Sequence, residues 1–146
     1  MIPPLSEIPY AAPLMPSIDS KFLNALIVLG ALALTGCAPS IPVQEAQLAA
    51  SEMPPRPVRV LQREATVRLY TGYERKLAEG SRWRPIGSLP QGEVLRPVDS
   101  VFTIEGRQVH EAYLVVSDTR LVGFYLPGEA HFSPLATSLS LTFGEH

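Results

Sequence analysis

Cysteine is almost absent from this chain, which has one cysteine among 146 residues. A single thiol excludes a disulfide within the chain, and an unpaired thiol in an exported protein needs a separate explanation. Lysine is also scarce, and the 12 Lys and Arg residues are balanced by 14 Asp and Glu residues. This balance leaves no strongly basic footprint for nucleic acid and predicts a solvated surface of mixed charge.

The residue patterns that carry catalysis or metal binding are missing as well. The three histidines, which lack the spacing of metal ligands, are His110, His131 and His146. Ser88 and Ser117 have no Gly-x-Ser-x-Gly environment, and we interpret them as turn residues. Glu105 and Glu111 flank a predicted turn, where carboxylates are usually solvated. We therefore predict no catalytic residue, no metal site and no enzymatic activity.

The longest apolar run is residues 22–34, which follows Lys21 and ends shortly before Cys37. Thirteen residues extend about 20 Å as a helix, which is short of the roughly 30 Å of a bilayer's hydrocarbon core. A buried core helix would need a polar face, and residues 25–34 have none. The length of the run and the small residues that follow it are typical of a signal peptide.

The segment Leu34-Thr35-Gly36-Cys37 resembles the lipobox of bacterial lipoproteins, in which a small residue precedes an obligatory cysteine. In that family the thiol is joined to diacylglycerol, a peptidase cuts on the amino side of the cysteine, and the new amino group is acylated. The resemblance implies that residues 1–36 are a signal peptide and that cleavage falls between Gly36 and Cys37. It also implies that Cys37 carries the lipid, with no other cofactor.

The first fourteen residues depart from the usual pattern because they contain Glu7 and no Lys or Arg. Signal peptides begin with a positively charged region, so we expect either translation from Met15 or a disordered leader over residues 1–14. Ala38 follows the cysteine, and in the lipoprotein family an Asp at that position tends to hold the protein in the inner membrane. By resemblance, this chain is expected at the outer membrane, facing the periplasm.

Residues 38–57 are rich in Pro, Ala and Gln and poor in large apolar side chains. Such a segment buries too little surface to offset the entropy lost on ordering, and clustered prolines favour an extended chain. We therefore predict a lipidated cysteine and flexible tether over residues 37–57, with residues 44–51 as a candidate short helix. The remaining residues, 58–146, suffice for one small domain.

After Pro57, short alternating or β-branched runs are separated by turn signals, which predicts a mainly β domain. The expected strands are residues 66–70, 94–98, 101–104, 109–116, 121–126 and 138–143. The expected hairpin turns are Glu105-Gly106 and Ser117-Asp118-Thr119. Residues 73–80 are the candidate for one or two helical turns. Short strands at this spacing favour a small β-barrel or sandwich.

Two segments resemble bacterial Src-homology-3-like (SH3-like) domains. Residues 83–98 read WRPIGSLPQGEVLRPV, similar to that family's aromatic-Val/Ile-Gly-x-Leu-x-x-Gly motif and the strand that follows it. Residues 112–126 resemble its aromatic strand, turn and closing Gly-aromatic strand. In this interpretation Gly87 and Gly92 bracket a tight hairpin, and Gly123 bends the closing strand at a barrel corner.

The SH3-like resemblance covers about residues 65–135 and departs from the family in three places. The family's opening motif is reduced in residues 66–72, the loop over residues 99–111 is longer than usual, and residues 133–146 extend past the normal end. The resemblance implies a small SH3-like β-barrel with a C-terminal extension. Another small β-fold is the alternative.

Aromatic residues near the loops that form the ligand groove of SH3-like domains are the candidate binding residues: Tyr70, Tyr73, Trp83 and Tyr125. Aromatic side chains with polar neighbours suit Pro-rich peptides or peptides linked to glycans. For the first three, the competing interpretation is that they fill a small core. The sequence leaves both interpretations open.

Together these features imply a non-enzymatic outer-membrane lipoprotein that displays an SH3-like binding module in the periplasm. We expect a scaffolding or assembly role in an envelope-spanning machine, such as a conjugation or secretion apparatus, with envelope proteins as partners. The alternatives are a peptidoglycan-binding or lysis-related lipoprotein and an envelope hydrolase.

Overall fold

The computed structural model describes Pro13, Leu14, Gly36, Cys37, residues 39–51 and residues 55–145. The predicted signal helix lies outside the described residues. Within the described ranges, no helix has the length and apolar character needed to cross a membrane. The secondary structure in these ranges is β-strands, turns and irregular segments. The predicted mainly β class is confirmed.

The described strands, in chain order, are β1 (Gln44–Glu45), β2 (Ala49–Ala50), β3 (Arg59–Leu61), β4 (Ala65–Arg68), β5 (Glu74–Leu77), β6 (Arg82–Leu89), β7 (Gly92–Pro97), β8 (Thr103–Glu105), β9 (Val109–Glu111), β10 (Tyr113–Ser117), β11 (Arg120–Leu126), β12 (His131–Ser140) and β13 (Phe143–Glu145). Nine of them form one sheet in the order β1-β12-β11-β10-β7-β6-β3-β13, with β2 paired to β6. The other four form two separate hairpins, β4–β5 and β8–β9.

The large sheet is strongly curled, because β12 and β13 are close in the chain but six strand spacings apart in the sheet. The Cα atoms of residues 140 and 143 are at most about 11 Å apart along the chain, whereas six spacings in a flat sheet span about 29 Å. In the crossing segment, the Leu141 N–H donates to the Thr119 carbonyl and the Gln62 N–H donates to the Thr142 carbonyl, both at 2.8 Å. Within the described residues β1 and β13 do not pair, so the sheet is not closed into the predicted barrel.

The core lies on both faces of the central strands β7 and β10. Val94 and Leu95 are successive residues of β7 whose side chains point to opposite faces, and both are fully buried. On one face the two hairpins complete the main cluster, which includes Leu61, Val67, Leu77, Trp83, Leu95, Phe102, Ile104, Leu114, Phe124 and Leu126. On the other face is a second cluster of Ala46, Leu89, Val94, Val115, Tyr125 and Phe132. The sheet is therefore covered on both faces, which explains its consecutive buried residues.

Most of the predicted strands are present. The runs at residues 66–70, 94–98 and 121–126 overlap β4, β7 and β11. The predicted turns join β8 to β9 and β10 to β11, the second with Asp118 at a positive φ of 53°. The run at residues 138–143 is divided between the end of β12 and the start of β13, which lies at one edge of the sheet.

The segment predicted to form helical turns, residues 73–80, instead contains strand β5. Between β4 and β5, the Leu69 N–H donates to the Tyr73 carbonyl and the Gly72 N–H donates to the Leu69 carbonyl, both at 2.9 Å, which leaves a three-residue loop at residues 70–72. This loop type needs a left-handed residue at its third position, which Gly72 supplies with a φ of 82°. Leu77 of β5 is buried in the main cluster. Pairing with β4 and this burial override the helix-favouring composition.

The segment predicted to be a flexible tether is partly built into the domain. In β1, Gln44 lies opposite Phe132 of β12, and in β2, Ala50 lies opposite Gly87 of β6. Ile41 belongs to the main cluster, and Ala46 belongs to the second. The flexible tether is therefore wrong for residues 41–51, and so is the helix suggested for residues 44–51. The compact unit that contains the sheet spans Ala38–His146.

The chain that leads into β3, residues 56–59, is also held to the sheet by charge. Arg56 and Arg59 both form ion pairs with Glu93 of β7, whose side chain is only 16% exposed. Two guanidinium groups on one partly buried carboxylate fix the chain where it enters β3. This attachment replaces the apolar contacts that the composition of this segment lacks.

The three glycines singled out in the SH3-like motifs lie at irregular or crowded places. Gly87 and Gly92 flank the β6–β7 turn as predicted, although both are within strands. The pairing of β11 with β12 shifts register between Leu121 and Gly123, so the predicted irregularity at Gly123 is present. It occurs in a curled open sheet and not at the corner of a closed barrel.

Candidate functional site

The four aromatic residues predicted to line a groove lie in different surroundings. Trp83 is 2% exposed within the main cluster, and Tyr73 is half-buried and packs against that cluster. Tyr125 is buried in the second cluster. Tyr70 is 57% exposed. The four side chains therefore do not line one common surface, because the small core takes up the largest of them.

Tyr125 packs beside Tyr113, with ring centroids 6.3 Å apart. Burial raises the pKa of Tyr113, and the negative charge of Glu111 raises that pKa further. The Tyr113 phenol therefore stays protonated near neutral pH. This pair is a structural contact of the second cluster, which agrees with a core role for Tyr125.

An open cleft of about 320 Å³ lies at one end of the main cluster, between β5, the start of β6 and the loop from β7 to β8. We call it the Trp83 cleft, and its lining includes Arg75, Lys76, Arg82, Trp83, Asp99, Val101 and Phe102. Its lining includes no histidine or cysteine and one carboxylate.

The floor of the Trp83 cleft is aromatic. The rings of Trp83 and Phe102 meet edge to face, with an interplanar angle of 72°, and Phe102 in turn stacks on Phe124. The Trp83 Nε1–H donates to Ser81 Oγ at 2.9 Å, and Ser81 Oγ–H donates to the Ala78 carbonyl at 2.6 Å. Because the indole N–H is already used, the floor offers a ligand only apolar and π surface.

An ion pair stands at the rim of this cleft. Arg82 Nε donates to Asp99 Oδ2 at 2.8 Å, and Arg82 Nη2 donates to Asp99 Oδ1 at 2.5 Å. The hydrogen bonds from Arg82, helped by its positive charge, lower the pKa of Asp99, and the same contacts raise the pKa of Arg82. The two-pronged contact fixes the loop from β7 to β8 against the start of β6.

A second cation lies against the floor. Arg75 Nε donates to the Thr103 carbonyl at 3.0 Å, and its guanidinium carbon lies 5.0 Å from the centroid of the Phe102 ring. This cation–π contact ties β5 to the start of β8. It also places a positive charge directly beside the aromatic surface.

The electrostatics of the Trp83 cleft favour a ligand with a carboxylate. Its lining has three cations, Arg75, Lys76 and Arg82, against the single acid Asp99, a formal excess of two positive charges. Lys76 also lies 3.1 Å from Glu64, but both side chains are mostly exposed and weakly paired. Val101, 68% exposed, adds an apolar rim. The arrangement suits a peptide that combines an apolar or aromatic side chain with a carboxylate.

The remaining candidates from the sequence are dispersed. His110 Nδ1 lies 2.8 Å from Glu129 Oε1. In the part of the chain that the structure describes, no three His, Cys, Asp or Glu side chains lie together so that they could hold a metal ion. Glu105 lies opposite Val109 in the β8–β9 hairpin, so Glu105 and Glu111 are not direct cross-strand partners. Cys37 is exposed and free of a disulfide.

The charged residues of the cleft were not predicted as site residues. The alternation in β6, where Arg82 is exposed and Trp83 is buried, is a signal that could have placed Trp83 on the core face. No local signal pairs Arg82 with Asp99, since the two are 17 positions apart and meet only through the β6–β7 hairpin. Likewise, no local sequence signal pairs Arg75 with Phe102.

Comparison with protein-family models, with curated proteins and with solved structures found no match to this chain.

Proposed function

We propose that this chain is a lipid-anchored protein of the bacterial outer membrane whose periplasmic β domain binds a partner through the Trp83 cleft. The observation that carries the binding role is an open cleft that lies over the buried rings of Trp83 and Phe102 and has an excess of positive charge in its lining. Peptide-binding surfaces combine an aromatic anchor site with a few oriented polar groups.

The finer fold in this proposal is an SH3-like domain. The order of elements supports it, since residues 83–98 form the β6–β7 hairpin and residues 112–126 contain the β10–β11 hairpin. The strong curl of the sheet is what an incompletely closed barrel requires. The hairpins β4–β5 and β8–β9 then serve as insertions that cover one face.

The membrane anchor in this proposal is lipid on Cys37. The thiol is exposed and solitary, and it follows the apolar run that ends at Leu34. Changing Cys37 to Ser should prevent acylation and release the protein from the membrane fraction, because each buried acyl CH₂ contributes about 0.8 kcal/mol. Mass spectrometry of the mature amino terminus is the measurement. Unmodified protein that begins upstream of Cys37 would disprove the anchor.

The role that we propose is scaffolding or assembly within an envelope-spanning conjugation or secretion machine. The alternative is binding to peptidoglycan, as in a wall-binding or lysis-related lipoprotein. The cations of the Trp83 cleft favour this alternative as well, because the peptides of the cell wall carry carboxylates. The two functions differ in whether the partner is a protein.

Purified sacculi separate the two functions. We expect the full chain to bind sacculi that retain envelope proteins and to lose that binding after the proteins are removed. Undiminished binding to protein-free sacculi would favour the peptidoglycan function. The cleft itself is tested with Val101→Asp, which places a carboxylate at the exposed rim, and its matched control Val109→Asp, because Val109 is 65% exposed and lies outside the cleft. Equal binding by both variants would remove the cleft from the proposal.

A further inference from the structure

Among the described residues, strand β4 has one paired edge and one free edge. The Leu69 N–H donates to the Tyr73 carbonyl. In an antiparallel pair, every second residue of a strand exchanges hydrogen bonds with the partner strand, so Val67 also bonds to β5. The intervening residues, Thr66 and Arg68, therefore direct their backbone N–H and C=O groups away from β5. Within the residues that the structure describes, β4 pairs with β5 alone.

A groove of about 530 Å³ runs along this free edge. Residues 66–70 form one wall and residues 136–139 of β12 form the other, and no residue of β5 lines it. The groove therefore lies on the side of β4 that faces away from β5. We call it the β4 groove. Its lining is mainly apolar, and the exposed ring of Tyr70 lies at the end of β4.

The facing part of β12 is also free of a strand partner on that side, among the described residues. β11 occupies one edge of β12, and β1 pairs only with His131 and Phe132 near its start. Arg120 reaches across from β11, and its Nη2 donates to the Ser138 carbonyl at 3.1 Å. The wall opposite β4 is thus fixed in place and offers Leu139 as apolar surface.

The charge and the alternation along β4 define what would fit beside it. Arg68 is the single charged residue among those that line the groove. On a strand added to β4, the residue opposite Arg68 would share its exposed face, and the next residue, opposite Val67, would face the core. An acidic residue is therefore favoured at the first position and an apolar residue at the second.

We propose that the free edge of β4 binds an extended segment of a partner protein in which apolar residues alternate with Asp or Glu. The segment adds to the β4–β5 hairpin as a third strand. Hydrogen bonds to Thr66 and Arg68 supply the affinity, and the alternating side chains supply the specificity. This site uses none of the lining residues of the Trp83 cleft, so it goes beyond the proposed function and is tested independently of it.

The test measures binding of a fluorescent, end-capped peptide of six residues, alternating valine and glutamate, to the full chain. Thr66→Pro removes the outward N–H of residue 66 without removing a hydrogen bond to β5, and proline is tolerated at such edge positions. We expect it to weaken binding at least tenfold, while the matched control Thr66→Val, which keeps the N–H, stays within about twofold of wild type. Thermal melting of both variants checks their folding.

Two further measurements keep the test independent of the stability of Thr66→Pro. Two versions of the peptide, one methylated on its glutamate nitrogens and one on its valine nitrogens, each block one edge, and the version that blocks the edge facing β4 should bind the unaltered protein at least tenfold more weakly than the other. Arg68→Glu should weaken binding of the glutamate peptide at least fivefold and strengthen binding of the corresponding lysine peptide. Each result depends on the free edge of β4.

Several outcomes would overturn the proposal. These are equal binding by Thr66→Pro and Thr66→Val, equal binding of the two methylated peptides, and no binding of either charged peptide at millimolar concentration. Self-association of the full chain without peptide, abolished by Thr66→Pro, would assign the edge to a second copy and reject a separate partner.

Discussion

Gly87 lies so close to Ala49 that a Cβ atom on the glycine would be 2.3 Å from the Ala49 carbonyl oxygen. This contact lies where β2 pairs with β6. Any side chain at residue 87 would therefore push β2 away from the sheet. The glycine is what allows the segment before the domain to pack against it.

Changing Gly87 to Ala should lower the free energy of unfolding by about 1 to 3 kcal/mol, the usual cost of overpacking. It should also speed hydrogen exchange at the Ser51 amide, which donates to the Ile86 carbonyl at 3.1 Å. Denaturant unfolding and amide exchange are the measurements. The matched control is Gly128→Ala, because a Cβ there meets nothing within 4 Å. Indistinguishable behaviour of the two variants would show that β2 is not docked.

Changing Trp83 to Ala should cost roughly 3 to 5 kcal/mol of stability, because the indole is buried against Phe102 in the main cluster. Changing the exposed Tyr70 to Ala should cost within about 0.5 kcal/mol. Thermal and denaturant unfolding of the two variants test the assignment of Trp83 to the core and of Tyr70 to the surface. A Trp83→Ala protein as stable as wild type would reverse the first assignment.

Truncation should show that the domain begins before residue 57. A chain that starts at Pro39 should unfold cooperatively, whereas one that starts at Pro55 loses β1, β2 and the buried side chains of Ile41 and Ala46. We expect the shorter chain to be less stable by at least about 2 kcal/mol, the low end for removing a buried Ile side chain. Ile41→Ala in the longer chain isolates one part of this loss. Equal stability of the two chains would restore residues 37–57 as a tether.

The ion pair between Arg82 and Asp99 should leave a signature at acidic pH. The pKa of Asp99 is lowered in the folded protein, so the pair stabilises above the unfolded pKa and this stabilisation is lost as pH falls through the folded pKa. The stability difference between wild type and Asp99→Asn should therefore shrink below about pH 4. Both side chains are about half exposed, so the difference itself is small.

Carboxyl NMR measures the same effect directly. The pKa of Asp99 should lie below the ordinary aspartate value in wild type and return towards it in Arg82→Gln. Arg84→Gln, a change at an exposed residue of the same strand, is the control that should leave the Asp99 titration unchanged. A titration of Asp99 at its ordinary value in wild type would contradict the ion pair.

The sequence predicted β7, β10 and β11, and the last two are apolar runs that flank a clear turn. It missed β6 and most of β12, the two longest strands, although every second side chain of β6 is buried. The two-residue strands β1 and β2 have no period to detect. Their partners lie far away in the chain, as in the pairing of Gln44 with Phe132, so only the folded sheet shows them.

The candidate site was predictable only in its aromatic part. Trp83 was identified as either a groove or a core residue, and the structure makes it both buried and the floor of a cleft. The charges around it depend on contacts between segments, such as that of Arg75 on β5 with Phe102 beside β8. The residues of β5 favour a helix, and the sequence predicted helical turns there. The position of Arg75 beside Phe102 could therefore not be predicted either.

The pairing of residues 41–51 with the sheet sets the reach of the domain in the lipid-anchored form that we propose. Only the chain from Cys37 to the buried Ile41 is then left to span the distance between the acyl chains and the core. Four residues extend to at most about 14 Å, whereas the twenty of a free tether would cover roughly 60 Å. In the lipid-anchored form, so short a linker keeps the domain close to the bilayer surface. In that form, the domain would bind only partners that come close to the membrane. It would not reach partners deeper in the periplasm.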